Sequence, residues 1–307
     1  QITPPTAPSF EDFPENLPEH LVWNLTQRGI SQLYSHQAQA LKLLSAGEHV
    51  VISTGTASGK TLCYDIPVIQ RLLQDSSARA LYLFPTKALA QDQLRLLKDL
   101  CSAPDGALRP SPAIYDGDTP AQHRPEIRKN ADIIITNPDM LHQGILPHHT
   151  IWRKFFAGLR YVVIDEMHTY RGVFGSHVAN VIRRLKRVAA FYHSYPQFIL
   201  TSATIGNPEE LAEKLIESPA ALIDVDGSPH GRRHFLVYNP PLVNEQLGLR
   251  ASSLQTGIHF TRKLLANNFQ SLVFARSRRS VEMILAYLYD SLPREMRARI
   301  RGYRSGY

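Results

Sequence analysis

At 307 residues the chain has room for one large domain and part of a second. Hydrophobic residues make up 43% and charged residues 20%, which excludes a disordered chain, and no apolar run approaches the ~18 residues of a membrane span. The net charge is +7, and residues 271–307 hold eight Arg against three acidic residues. That surplus suits a phosphate-backbone partner and suits solvated arginine-rich helices equally well. Cys63 and Cys101 form neither a disulfide framework nor a metal-ligand spacing, so a reducing, intracellular setting is expected. No signal-peptide pattern opens the chain, so the expected compartment is cytoplasmic, with nucleoid association if the source is bacterial.

The first fifteen residues are proline-rich and read as an extended lead-in. Amphipathic helices follow over 18–28, stopped by Gly29, and over 35–45, stopped near Gly47. Continuous apolar runs then recur at 49–53, 80–84, 132–136, 161–164, 198–200 and 221–225. Apolar side chains on consecutive positions mark strands of a parallel sheet covered on both faces. Helical stretches at 61–74, 87–100 and 176–191 alternate with them. The expected fold is a doubly wound α/β domain over residues 1–225, whose ligands bind beyond the carboxyl ends of the strands. Residues 226–242, rich in Gly, Pro and charge, read as a linker. A second domain is expected over 243–307, with a long helix, a buried strand at 271–275 and another helix.

The strongest local signal is Thr54, Gly55, Thr56, Ala57, Ser58, Gly59, Lys60, Thr61, between the first apolar strand and a helix. In that setting backbone N–H groups form a nest for ATP phosphates, Lys60 reaches the β- and γ-phosphates, and the Thr61 hydroxyl ligates Mg²⁺. Thr54 stands where Gly or Ala is usual. A second apolar strand ends in Asp165 and Glu166. Asp165 would hold the Mg²⁺ shell, and Glu166 would orient and deprotonate the attacking water. Ser202, Ala203 and Thr204 follow the next strand, where small residues alone would mean only a turn.

These three motifs, in this order, resemble the first motor domain of superfamily-two helicases of the DEXH-box kind, written here Asp165, Glu166, Met167, His168. Further stretches fit the resemblance: 34–37, 84–89, 115–119, 136–141 and 274–278. The wording of 56–64, 115–119 and 274–278 is similar to the bacterial mitomycin-repair DNA helicases and their fungal relatives. The resemblance covers about residues 33–307. It implies a RecA-like sheet followed by the start of a second RecA-like domain, with ATP-driven 3′-to-5′ movement on DNA in damage repair.

Site roles follow from that resemblance. Gln37 would read adenine, with a solvated helix residue as the alternative. Thr86, Lys87, Gly117, Asp118, Thr136, Asn137 and Arg276 would lie along the nucleic-acid path, where contacts to phosphate position a strand without reading it. His168 would link the nucleotide state to Ser202, Ala203 and Thr204. The basic run at 183–187 has helical spacing and reads as a solvated face. The arginines with which the second motor domain closes the ATP site are expected beyond Tyr307, so slow turnover is expected of this chain alone. The leading expectation is a motor on single-stranded or partly duplex DNA. An RNA helicase and a nucleotide-gated nucleic-acid-binding module without turnover are the alternatives.

Overall fold

A computed structural model describes residues 1–102, 106 and 109–303. The chain divides into two compact units, Thr3–Arg233 and a second made of residues 1–2 with 234 onward.

In the first unit seven strands form one sheet: β1 (Val50–Ile52), β2 (Arg79–Leu83), β3 (Pro112–Ile114), β4 (Ile133–Thr136), β5 (Leu159–Ile164), β6 (Gln197–Thr201) and β7 (Ala221–Ile223). Their order is β7-β1-β6-β5-β2-β4-β3, with every neighbouring pair parallel. Helices lie on both faces. On one face pack α1 (Glu19–Gln27), α2 (Ser35–Ser45), α3 (Lys60–Gln74) and α4 (Lys87–Leu100). On the other pack α5 (Arg153–Gly158), α6 (Gly172–Phe191) and α7 (Pro208–Ile216).

The consecutive apolar runs serve these two layers. Val50 and Ile52 enter the core that contains Ile66 of α3 and Leu97 of α4, whereas Val51 enters the core that contains Ile182 of α6 and Ala212 of α7. This is the RecA-like doubly wound sheet. Gly29 and Gly47, at φ +79° and +92°, terminate α1 and α2 in the left-handed conformation that lacks a Cβ penalty.

The edge strand β3 has no counterpart in the sequence-based expectation. It begins with Pro112 and, among the described residues, pairs with β4 alone, so its missing N–H costs the ladder nothing. The amphipathic helix α7 also goes beyond that expectation. The lead-in is extended and tied down, since Phe10–Glu11 pairs antiparallel with Leu33–Tyr34.

In the second unit α8 (Ser253–Ala266) and α9 (Arg278–Ser291) share a small core of Ile258, Leu288, Leu292 and Ile300. Residues 271–275 correct the expected buried strand: they carry no strand pairing, and Leu272 and Phe274 are exposed. An apolar run becomes a parallel strand only beside a neighbour that takes its N–H and C=O groups, and none does so among the described residues.

A buried polar cluster centred on Asp65 lies inside the apolar core under the sheet. Asp65 of α3 accepts from Gln93 Nε2 of α4 through both oxygens (2.8 and 2.9 Å) and from the Tyr82 hydroxyl of β2 (3.0 Å). Tyr64 completes the cluster with a 3.3 Å bond to Gln93 Oε1. Burial pushes the Asp65 carboxyl up to about 7 against these hydrogen bonds. An acid raised in the folded state contributes stability that is fully present below its unfolded value and is lost as pH rises through the folded one. Stability is therefore expected to decline from about pH 4 to about pH 7, and Asp65→Asn to flatten that decline. Urea midpoints across this range check it, and an equally steep decline in the Asn variant would sink the assignment.

Candidate nucleotide and nucleic-acid site

Because β6 is inserted between β1 and β5, the loops that leave these three strands emerge side by side. The loop after β1 runs from Thr54 to Gly59, and Lys60 and Thr61 open α3. Gly59 at φ +80° and Ala57 at φ +63° take left-handed conformations within it, the kind of backbone from which anion-binding nests are built. Thr54, the unusual first residue, is buried at 1% exposure, and its hydroxyl pairs with that of Ser58 at 2.7 Å. The extra hydroxyl thus has a partner inside the loop. Thr56 and Ala57 are exposed at its tip. Lys60 Nζ donates to the carbonyls of Thr54 (3.0 Å) and Gly55 (2.7 Å). Phosphate oxygens would have to replace both carbonyls.

Gln37 is 2% exposed, which removes the solvated alternative. Its Oε1 accepts from the Tyr34 amide (2.9 Å), and its Nε2 donates to the Gly59 carbonyl (3.0 Å). One N–H and one lone pair of the side-chain amide remain for a ligand.

Asp165 and Glu166 follow β5. The Thr201 hydroxyl, at the end of β6, donates to Asp165 Oδ1 and accepts from the Glu166 amide (3.4 Å). Burial raises the Asp165 carboxyl and the neighbouring Glu166 adds to it, while Thr201 and the nearby Lys60 act in the opposite sense. Glu166 sits at φ +52°, a left-handed conformation that costs a non-glycine residue about 1–3 kcal/mol and recurs at functional sites. His168 Nδ1 is 3.2 Å from the Ala203 amide and 3.1 Å from Glu166 Oε2. A single ring nitrogen accepts from the first or, when protonated, donates to the second, so the two contacts alternate. Ser202 donates its amide to the Ile52 carbonyl of β1 (2.9 Å), and Ser53 reaches the Ala203 carbonyl (3.3 Å). Thr204 is exposed just beyond.

The residues expected along the nucleic-acid path divide into two kinds. Thr86 caps α4 through Leu89 N (3.4 Å), and Asn137 caps the turn Pro138–Met140 through Met140 N (2.8 Å). Thr136 is 2% exposed, with its hydroxyl on the Tyr115 carbonyl (2.6 Å), so the end of β4 turns it inward, away from any strand outside. Lys87 is exposed and pairs with Asp118 Oδ2 at 2.5 Å, a carboxylate where an incoming phosphate could exchange. Gly117 is exposed beside it in a turn built on Asp116 Oδ1. Arg276 is exposed in the second unit, directly before Ser277 caps α9. The run at 183–187 lies on α6, with Leu185 buried and Arg183 paired to Glu217 at 2.7 Å.

Among the described residues no group of three or more His, Cys, Asp or Glu could hold a metal. The donors near the loop are the Thr61 hydroxyl and the Asp165 carboxylate, both hard oxygens. That set fits Mg²⁺, which favours one or two protein oxygens completed by phosphates and water.

Two residues at this site lie outside the motif-based expectation. Thr201 is legible only as the residue after β6 pairs Leu200 with Ile164, which sets it against Asp165. Asp226 accepts from the Gly55 amide at 3.0 Å, and the first unit runs on to Arg233, inside the stretch read as a linker.

The family profile described as DEAD/DEAH box helicase matches residues 34–211, from the Gln37 segment past Ser202. The chain belongs to that family. Among helicases it is similar to the ATP-dependent helicase YprA of Bacillus subtilis, 51% identical over 99% of this chain and 40% of the relative. It is also similar to the ATP-dependent helicase HRQ1 of Saccharomyces cerevisiae, 41% identical over 89% of this chain and 26% of the relative. The crystal structure of the DUF1998 helicase MrfA bound to DNA superposes with a TM-score of 0.96 at 50% identity, covering 100% of this chain and 41% of that one. With AMPPNP also bound, the same helicase gives 0.91 at 49% identity over 98% of this chain and 41% of that one. The chain therefore spans well under half the length of these helicases.

Removing the Gln37 amide leaves the Tyr34 N–H and the Gly59 carbonyl without their partners. Gln37→Ala is expected to lower the unfolding free energy by about 1–3 kcal/mol, read from urea denaturation. An unchanged midpoint would mean that water replaces both bonds.

Proposed function

We propose that this chain is the nucleotide-binding motor part of an ATP-dependent helicase or translocase that moves on single-stranded DNA, in the cytoplasm and in DNA repair. The observation that carries the reading is the convergence of Lys60, Asp165, Glu166, Thr201 and Ser202 at the adjoining ends of β1, β5 and β6. The MrfA structure with DNA and AMPPNP supports both the ligand class and the polymer.

Residue roles follow from chemistry. Lys60 exchanges the carbonyls of Thr54 and Gly55 for β- and γ-phosphate oxygens, and the amides of 56–61 cradle the rest. Gln37 offers its remaining donor and lone pair to the adenine edge. Thr61 and Asp165 would hold Mg²⁺, which supplies charge neutralisation on the phosphates when bound. Glu166 takes a proton from the attacking water; the water oxygen bonds to the γ-phosphorus as the bond to ADP breaks. His168 exchanges Ala203 for Glu166 and so relays the state of the carboxylate to the end of β6. Lys87, released from Asp118, takes a backbone phosphate, with Gly117, Thr86 and Asn137 shaping the loops around it. Arg276, exposed on the second unit, offers its guanidinium to a phosphate there.

The test is Mg²⁺-ATP hydrolysis by the full-length protein with and without single-stranded DNA, beside Glu166→Gln. Strong stimulation by DNA is expected, falling by roughly 10²–10⁴ in the Gln variant while nucleotide binding persists. Stimulation by RNA alone would reassign the polymer. Binding without turnover on either polymer would leave a nucleotide-gated module and overturn the motor reading.

A further inference from the structure

The loop after β1 is held from outside at both ends. Gln37 holds the Gly59 carbonyl at the far end. At the near end Asp226, just past β7, accepts from the Gly55 amide at 3.0 Å. Neighbouring strands explain the approach: β7 pairs with β1, and the Ser53 amide extends that pairing to the Ile223 carbonyl (2.8 Å). The contact is also close. A Cβ on Gly55 would lie 2.9 Å from Asp226 Oδ2, so a side chain at 55 would push the carboxylate away.

Asp226 is itself braced. Its Oδ1 accepts from the amide and hydroxyl of Ser228 (2.9 and 2.7 Å), and its Oδ2 lies 3.1 Å from His230 Nε2, whose Nδ1 lies 2.9 Å from Arg233. Burial opposes its charge, yet the bonds from Ser228 and Gly55 and the nearby His36 hold it below the usual carboxylate range. The two holders are joined to each other. The Gly227 amide donates to Nδ1 of the buried His36, next to Gln37, at 3.1 Å, and the Gly227 carbonyl accepts from Ser9 (2.9 Å). A Cβ on Gly227 would meet Ser35 Oγ at 2.3 Å, so glycine is needed for this closure.

Gly55 is thus gripped on two sides, by Asp226 at its N–H and by Lys60 at its C=O. Nucleotide entry draws Lys60 away from that carbonyl, and only the outer grip then remains. We propose that Asp226 is a positioning residue for nucleotide binding, which keeps the first turn of the phosphate loop in place while Lys60 exchanges its carbonyls for phosphates. The assignment rests on the nucleotide reading above. It also makes the segment from Asp226 to Arg233, where the first unit ends, a part of the nucleotide site.

The test titrates a fluorescent ATP analogue into the full-length protein, with KM and kcat of DNA-stimulated hydrolysis measured beside it. Asp226→Ala is expected to weaken analogue binding and raise KM by about tenfold, corresponding to about 1.4 kcal/mol, with kcat at saturating ATP within about twofold of the parent. Asp226→Asn, whose single acceptor oxygen serves either the Gly55 amide or the Ser228 amide but not both, is expected to recover part of that loss. An Ala variant that binds like the parent, or that loses kcat with KM unchanged, overturns the assignment. If thermal melting finds Asp226→Ala unfolded, Ser228→Ala takes its place: weaker binding at unchanged kcat supports the role, and parental binding overturns it. A parent protein that binds no analogue would instead remove the nucleotide reading, and this assignment with it.

Discussion

The insertion of β6 between β1 and β5 is the constraint on which the site depends. Chain order alone would leave the phosphate loop and the Asp165–Glu166 pair about a hundred residues apart. Parallel pairing on both sides of β6 fixes their spacing to the sheet repeat and places Thr201 and Ser202 between them. The Thr201 hydroxyl serves both Asp165 and the Glu166 amide, and the Ser202 amide serves Ile52 of β1. The ends of the three strands are thus tied to one another by direct polar bonds.

Beneath that edge, a second tie works on the helices. Asp65 stands one turn into the helix that begins at Lys60, and Gln93 stands on the helix that begins at Lys87. Their buried contact, shared with Tyr82, couples the helix opened by the phosphate loop to the helix nearest the expected nucleic-acid path. Apolar packing would tolerate sliding between these helices; a buried carboxyl group held by an amide at both oxygens does not.

Much of this was legible in the sequence. Six of the seven strands announce themselves as consecutive apolar runs because each feeds two cores. The edge strand β3 does not, being short, opened by Pro112 and paired on one side. The run at 271–275 carries the same pattern without neighbours to pair with, so pattern alone overreached there. Within the site, Lys60, Asp165 and Glu166 are visible because their chemistry requires particular residues at strand ends. Thr136 shows the limit of that reasoning, since a strand-end hydroxyl faces inward as readily as outward. Asp226 lies 171 residues from its partner Gly55 and belongs to no motif, so only the adjacency of β7 and β1 reveals it.

The pairing of Thr54 with Ser58 has a consequence for how this loop can vary. Both hydroxyls are buried, at 1% and 0% exposure, and each is the other's partner. Losing one alone strands the other, at a cost of about 1–3 kcal/mol, whereas losing both together is close to neutral. The two positions are thus expected to change in step across related sequences. A threonine at the first place then signals a hydroxyl at the fifth, a signature carried by covariation rather than by either residue.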